Sequence, residues 1–121
     1  MAGAALVRRK LRRRGQAEPG YLVEIEQRFG RYPTELRREL ARRGQGPRIW
    51  LHAVSLGETR AAAILLPALR AQWPQMQLIL THGTATGRAE GTRLLLSGQD
   101  DRLADRQLWL PWDTAAAADA F

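Results

Sequence analysis

The sequence contains no cysteine and only two histidines, and this scarcity narrows the chemistry that the chain can perform. Without cysteine there are no disulfides, no thiolate zinc sites and no cysteine nucleophiles. The two histidines, His52 and His82, are too few for a metal site, and both are predicted to be structural. The glycine patterns of dinucleotide-binding and P-loop proteins are also missing. We therefore expect neither a metal nor a cofactor.

Long apolar runs are missing as well. Only Met1–Val7 precede the first cluster of cations, whereas a transmembrane helix needs about 20 apolar residues. A signal peptide carries its charges before the apolar stretch, and here the charges follow it. This segment is therefore predicted to be neither a membrane span nor a signal peptide.

The formal net charge of +7 is concentrated in the first 47 residues, because the charges from Arg48 onward balance. Six cations occupy a stretch of seven positions: Arg8, Arg9, Lys10, Arg12, Arg13 and Arg14. Such a block repels itself, which predicts a basic, flexible tail over residues 1–17. Alternatively, the block binds anionic lipid head groups, at about 1 kcal/mol for each cation near the surface. Nucleic acid is disfavoured as a partner because no aromatic residue lies among the cations.

Residues 18–47 are predicted to form a helical lead-in. Apolar side chains at helical spacing predict one helix over Glu18–Phe29, closed by a left-handed cap at Gly30. A second, strongly charged helix is predicted over Pro33–Arg42, with its arginines in solvent. The Gly44–Pro47 segment then links the lead-in to the rest of the chain.

Residues 48–121 contain three strand-plus-helix units. The predicted strands are Arg48–Val54, Met76–Leu80 and Gln107–Leu110. The predicted helices are Thr59–Trp73, Thr86–Leu96 and a third that begins after Asp113 as a candidate N-cap. This alternation predicts the α/β class with a Rossmann-like parallel sheet and right-handed crossovers. The first strand is expected to be buried, and Pro67 is expected to kink or break its helix.

The turn between the first strand and its helix is a candidate site, because free backbone N–H groups converge where a strand ends and a helix begins. Glu58 is aimed at this point, and its position alone favours a first-turn acid that interacts with the helix dipole. Ser55 either caps the helix or contacts a substrate. Gly57 is expected to adopt a positive φ in a tight turn, which lets a substrate approach the backbone. Arg60 is either a solvated helix residue or a ligand for a phosphate or carboxylate.

The turn after the second strand, Thr81–Gly87, is predicted to lie at the same edge of the sheet. Its Thr84 and Thr86 hydroxyls, with the N–H groups around Gly87, would suit an anion or a sugar. The same residues would also make an ordinary capped turn.

Four stretches, in the same order, resemble the lipid A Kdo transferases, the 3-deoxy-D-manno-octulosonic acid transferases of Gram-negative bacteria. They are Gln27–Tyr32 (QRFGRY), Ile49–Ala62 (IWLHAVSLGETRAA), Thr81–Gly87 (THGTATG) and Leu108–Asp113 (LWLPWD). The resemblance implies the N-terminal, acceptor-binding half of a GT-B glycosyltransferase that transfers Kdo from CMP-Kdo to a lipid A precursor with inversion. It implies Glu58 as the catalytic base. The implied acceptor-binding candidates are Ser55, Gly57, Arg60, Thr84, Thr86 and Gly87.

The resemblance also implies partners. A second domain, absent from this sequence, would bind most of CMP-Kdo, so the fragment alone is expected to be inactive. The basic block would meet anionic lipids at the cytoplasmic face of the bacterial inner membrane, as a peripheral or anchored protein. Two alternatives stay open: another two-domain glycosyltransferase of the same architecture, or a non-enzymatic flavodoxin-like scaffold that binds membrane or nucleic acid through its basic tail.

Overall fold

The computed structural model describes residues 2–96, 104–112 and 115–121. Its helices and strands are α1 (Ala2–Ala17), α2 (Thr34–Ala41), β1 (Arg48–Ala53), α3 (Leu56–Gln72), β2 (Gln77–His82), α4 (Ala85–Leu95), β3 (Arg106–Trp109) and α5 (Ala115–Asp119). Two 3₁₀ helices, Pro19–Leu22 and Ile25–Phe29, lie between α1 and α2. Asp113, which was predicted to cap a helix, lies outside the described residues.

The three strands form a parallel sheet in the order β1-β2-β3. Helices α3 and α4 pack against each other and cover one face of this sheet, because two crossovers of the same hand deposit both helices on the same side. The core between these helices and the sheet contains Ala53, Ala62, Leu66, Met76, Leu78, Leu80, Leu95 and Ala104. The predicted α/β class with a Rossmann-like parallel sheet is confirmed.

Strand β1 lies at an edge of the three-stranded sheet, whereas the sequence predicted a buried strand. Its alternate side chains point away from the helices, and Trp50 among them is 54% exposed. The buried strand is β2, in which Leu78–His82 are all buried. The prediction failed because the order of strands depends on pairings between distant segments, which a local apolar run does not encode.

Residues 2–17 form helix α1, which differs from the flexible tail that the block of cations predicted. Leu11, in the middle of the block, is only 2% exposed and packs in a cluster with Tyr21 and Trp109. Val7, one turn earlier, packs against the same cluster. Two apolar side chains one turn apart therefore hold the helix on the body while most of the cations face solvent. The division of the chain at residues 17 and 47 stays a prediction.

The segment Glu18–Phe29, predicted as one helix, is instead two short 3₁₀ helices. Glu24 separates them with a φ of 50°, in the left-handed region that does not continue a right-handed helix. The predicted left-handed cap is confirmed at Gly30, which has a φ of 74°. A Cβ atom at this glycine would lie 2.8 Å from Ala117 Cα, so the cap also allows α5 to approach closely.

Helix α3 continues through Pro67, so the helix does not break there, and a kink stays a prediction. Proline cannot donate the backbone hydrogen bond that the Ala63 carbonyl would receive. The proline is exposed, so its ring lies on the solvent side of the helix and away from the sheet. The second lead-in helix, α2, is confirmed close to its predicted bounds.

Candidate functional site

The two predicted turns lie side by side at the carboxyl edge of the sheet. Ala53, the last residue of β1, pairs with His82, the last residue of β2, so the loops that follow are neighbours. A direct contact joins these loops, because the Thr84 hydroxyl donates a 3.0 Å hydrogen bond to the Val54 carbonyl. The expectation that both loops share one edge is therefore confirmed.

In the first loop, Ser55 and Glu58 form a variant of the capping box at the start of α3. The Ser55 Oγ accepts a 3.3 Å hydrogen bond from the Glu58 N–H, which confirms Ser55 as the N-cap. The Glu58 Oε2 in turn accepts a 2.6 Å hydrogen bond from the Val54 N–H. In a standard box the glutamate would reach the N–H of the cap residue itself. The hydrogen bond from Val54 holds the Glu58 carboxylate in place. Glu58 is nevertheless exposed, so a substrate could reach this carboxylate.

The second loop repeats this cap at the start of α4. The Thr84 Oγ1 accepts a 3.2 Å hydrogen bond from the Gly87 N–H. A Cβ atom at Gly87 would lie 2.9 Å from Thr84 Oγ1 and 3.1 Å from the Ser55 carbonyl oxygen, so glycine lets the two loops approach closely. The exposed Thr86 lies in the same first turn. Thr84 and Gly87 therefore have defined structural roles, and acceptor binding by these three residues stays a prediction.

Gly57 does not adopt the positive φ that was predicted for it. It lies in the first turn of α3, and among the described residues Gly30 is the glycine with positive φ. The nearest atom to a Cβ at Gly57 would be Ser55 Oγ, at 3.9 Å, so the position is open. The tight-turn interpretation was wrong because the cap at Ser55 starts the helix earlier than the sequence suggested.

Arg60 points from α3 towards α4. Its Nε donates a 2.9 Å hydrogen bond to Glu90 Oε1, and Arg93 binds the same carboxylate. These two arginines lower the pKa of Glu90 to about 2, with Arg93 the larger influence. Arg60 is therefore engaged in an ion pair that links the two helices, and binding of an acceptor by Arg60 stays a prediction.

A buried polar network lies beneath the two loops, and sequence reasoning did not predict it. The Thr59 Oγ1 donates to the Ser55 carbonyl at 2.9 Å and lies 3.3 Å from the Gly87 carbonyl. It also lies 3.4 Å from Nδ1 of His82, whose Nε2 is 2.7 Å from the Gln107 amide nitrogen. Thr59 and His82 are both 0% exposed. The network therefore ties both loops to the underside of the sheet edge.

His82 is held neutral by this environment. Burial, followed by the nearby charge of Arg88, lowers its pKa to about 4. His52 is exposed, and its Nδ1 lies 2.8 Å from Thr81 Oγ1. Both histidines thus have structural contacts, as predicted. Within the described ranges, no group of three His, Asp or Glu side chains could hold a metal ion.

Arg28 is a second feature that sequence reasoning missed. Its side chain is 7% exposed, and its guanidinium donates hydrogen bonds to the carbonyls of Gly83 and Leu110. The guanidinium carbon lies 4.2 Å from the centre of the Trp109 ring and 5.5 Å from that of Trp112. Burial lowers the pKa of Arg28 to about 10, so the side chain stays charged at neutral pH. The sequence signal at this position is the QRFG stretch, which marks a resemblance but does not by itself indicate that Arg28 is buried.

The six cations of the basic block differ in their surroundings. Arg8 forms an ion pair with Glu26 and lies over the Phe29 ring, and the guanidinium of Arg14 lies over the Tyr21 ring. Arg14 is nevertheless exposed, and so are the four cations for which no ring contact or ion pair is described here: Arg9, Lys10, Arg12 and Arg13. None of the helices described is long and apolar enough to span a membrane. The exposed cationic surface is therefore the feature of α1 that a partner could reach.

Comparison with known proteins agrees with the resemblance seen in the sequence. A family model described as 3-deoxy-D-manno-octulosonic-acid transferase (kdotransferase) matches residues 23–121. A curated 3-deoxy-D-manno-octulosonic acid transferase from Bordetella pertussis is 49% identical over 73 residues, which are 60% of this chain and 16% of that protein. The match thus spans less than a fifth of the relative, and no solved structure matches. The family model covers most of this chain, and the chain therefore belongs to the 3-deoxy-D-manno-octulosonic-acid (Kdo) transferase family.

Proposed function

We propose that this chain forms the acceptor-binding domain of an inverting glycosyltransferase that transfers Kdo from CMP-Kdo to a lipid A precursor. Membership in the Kdo transferase family supports the class of reaction. The observation that carries the proposal is the Glu58 carboxylate, which is exposed at the carboxyl edge of the sheet and held by the Val54 N–H at 2.6 Å. In α/β folds, ligands bind at this edge.

Glu58 is suited to the work of a general base. A hydroxyl oxygen of the acceptor attacks the anomeric carbon of Kdo, and a new C–O bond forms as the bond to the phosphate breaks. The electron pair of the broken bond leaves with cytidine monophosphate, and the hydroxyl proton passes to the Glu58 carboxylate. Attack from the side opposite the leaving group inverts the anomeric centre. One positioned carboxylate is sufficient for this proton transfer, because no covalent intermediate is formed.

The remaining loop residues supply the surroundings of that base. Ser55 and Thr84 cap their helices, so the first N–H groups of α3 and α4 point to the same edge as Glu58. Thr86 and Gly57 are exposed in the first turns of these helices, where an acceptor sugar or phosphate could approach the backbone. We propose that a second domain of the full-length protein binds CMP-Kdo and closes on this edge.

The exposed cations of α1 support a proposal about location. Arg9, Lys10, Arg12 and Arg13 would meet anionic lipids at the cytoplasmic face of the bacterial inner membrane, where the lipid acceptor lies. Binding to vesicles that contain phosphatidylglycerol should weaken with salt and drop when all four are changed to Gln. The matched control changes four exposed arginines to Gln: Arg37 and Arg38 on α2, and Arg42 and Arg43 directly after it. Equal binding by both variants would contradict the proposal.

The central experiment is Glu58→Gln in the full-length transferase. Glutamine can still accept the Val54 hydrogen bond and fits a capping box, so the melting temperature should change little. It cannot take a proton, so turnover should fall by about a hundredfold or more.

The control for this experiment is Glu35→Gln. Glu35 is also an exposed glutamate in the first turn of a helix, α2, and should affect neither quantity. A folded Glu58→Gln enzyme with near-native turnover would remove Glu58 from the mechanism.

A further inference from the structure

Arg28 joins the lead-in to the loop that follows β2 and to the loop that follows β3. Its Nη2 donates a 2.7 Å hydrogen bond to the Gly83 carbonyl, directly after β2. Its Nη1 donates a 3.3 Å hydrogen bond to the Leu110 carbonyl, directly after β3. One planar guanidinium therefore fixes two positions on the edge where the candidate site lies.

The surroundings of Arg28 make this connection rigid. The side chain is 7% exposed and stacks against Trp109, and the Trp112 N–H donates a 2.8 Å hydrogen bond to the Arg28 backbone carbonyl. Both hydrogen bonds of the guanidinium to these loops end on backbone carbonyls, which accept only along defined directions. A displacement of Arg28 would leave a buried cation and the Gly83 carbonyl without their partners, which is costly.

A continuous set of contacts leads from Arg28 to Glu58. A Cβ atom at Gly83 would lie 3.0 Å from Val54 Cγ1 and 3.3 Å from the Val54 carbonyl oxygen, so the two backbones touch. The next residue, Thr84, donates its hydroxyl to that same carbonyl at 3.0 Å. The Val54 N–H then holds the Glu58 carboxylate at 2.6 Å. The peptide that orients the carboxylate is therefore packed on the residue that Arg28 holds.

We propose that Arg28 is a positioning residue for the transfer reaction: by fixing Gly83, it holds Val54 where its N–H orients the Glu58 carboxylate. This inference rests on the proposed function of Glu58. Arg28 itself, buried behind the loop, does not act on the substrate. Loss of the guanidinium should loosen the Val54–Glu58 hydrogen bond and misplace the base, and small misplacements reduce rates strongly.

The experiment compares Arg28→Met and Arg28→Lys with Arg31→Met in the full-length transferase. Arg31 lies three residues further along the chain, and its exposed guanidinium contacts Glu26 rather than the loops. In Arg28→Met we expect exchange of the Val54 amide hydrogen to accelerate by about tenfold or more. We expect kcat to fall by about tenfold to a hundredfold, while KM for the acceptor changes by less than about threefold. For Arg28→Lys, we expect the exchange rate at Val54 and kcat to lie between those of the native enzyme and of Arg28→Met. Arg31→Met should leave the exchange rate and kcat unchanged.

Unchanged exchange at Val54 in folded Arg28→Met would overturn the proposal, whatever happens to turnover. Faster exchange with native turnover would also overturn it, and Glu58→Gln in the same assay would then identify the failed step. If Glu58→Gln loses turnover, the base stands and the positioning role fails; if it retains turnover, the proposed base has failed. If Arg28→Met does not fold, Gly83→Ala tests the same contact from the loop side. The Cβ of the new alanine would press on Val54, so we again expect faster exchange at Val54 and a lower kcat.

Discussion

The first turns of α3 and α4 carry the same cap but differ at one position. In each, a hydroxyl side chain accepts a hydrogen bond from the N–H three residues later: Ser55 from Glu58, and Thr84 from Gly87. The third position holds an exposed carboxylate in α3 and no side chain in α4. A side chain at Gly87 would collide with the Ser55 loop, whereas Glu58 reaches only its own loop. The first turn of α3 therefore exposes a carboxylate, whereas the first turn of α4 has a glycine that lets the Ser55 loop approach.

This difference shows how a rigid turn and a reactive side chain can lie next to each other at one edge of a sheet. The α4 turn is packed, and the buried network of Thr59 and His82 fastens it to the α3 turn. The α3 turn can then expose its carboxylate without moving, because its backbone is held from below and from the side. At the third position of each cap, a mutation of Gly87 should therefore affect stability, whereas a mutation of Glu58 should affect turnover.

The largest expected effect on stability comes from His82, beneath both turns. Its pKa is lowered by burial and by Arg88 to about 4, while an unfolded histidine titrates near 6.5. Between these values only the unfolded chain binds the proton, so the free energy of unfolding should fall as the pH drops from about 6.5 to about 4. The loss should reach at most about 3 kcal/mol, and the contribution is fully present above pH 6.5.

Urea denaturation at several pH values measures this effect. Carboxylates also titrate in the range, so the informative quantity is the difference between the native protein and His82→Gln. His52→Gln, which changes the exposed histidine, should keep the native pH dependence. A native slope no steeper than that of His82→Gln would contradict the prediction.

An intermediate effect should separate the glycines of the two turns. Gly87→Ala places a Cβ 2.9 Å from Thr84 Oγ1 and 3.0 Å from the Ser55 carbonyl carbon, and it should destabilise the protein by about 1–2 kcal/mol. Gly57→Ala meets nothing closer than 3.9 Å and should stabilise the protein by about 0.5–1 kcal/mol, because alanine restricts the unfolded chain and favours a helix. Midpoints of thermal unfolding measure both. If the two midpoints shifted in the same direction, the proposed difference between the two turns would be contradicted.

The smallest expected effect is the difference between the two caps. Ser55→Ala and Thr84→Ala each remove one cap and should each cost about 1 kcal/mol. Thr84→Ala also removes the donor to the Val54 carbonyl, so its cost should be larger by about 0.5–1 kcal/mol. Chemical denaturation with an unchanged m-value would establish this difference. Equal costs would mean that the bond between the loops adds nothing to stability.

The features that could be predicted from the sequence are those encoded by neighbouring residues. Ser55 at the start of a helix is a local cap signal, and the left-handed cap at Gly30 needs only the end of an apolar pattern. The strand–helix alternation follows from periodicity in the same way. These predictions held because hydrogen bonds within a turn depend little on the rest of the chain.

The features that could not be predicted depend on residues far apart in the chain. Arg28 finds its carbonyl partners 55 and 82 positions away, and no local pattern distinguishes it from the exposed arginines around it. Leu11 is surrounded by cations in sequence, and only the presence of Tyr21 and Trp109 makes it a core residue. The exposed edge of β1 likewise reflects which strands pair.

The contacts between the lead-in and β3 also set an order of events during protein synthesis. Gln27 receives the N–H of Trp109 at 2.9 Å across a separation of 82 residues, whereas β1 and β2 are neighbours in the chain. Ribosomes add about 5–20 residues per second, so a separation of 82 residues corresponds to roughly 4–16 s. During that interval the apolar side of α1 has no Trp109 to cover it. The cluster around Leu11 and Tyr21 is therefore completed only after β3 has been made.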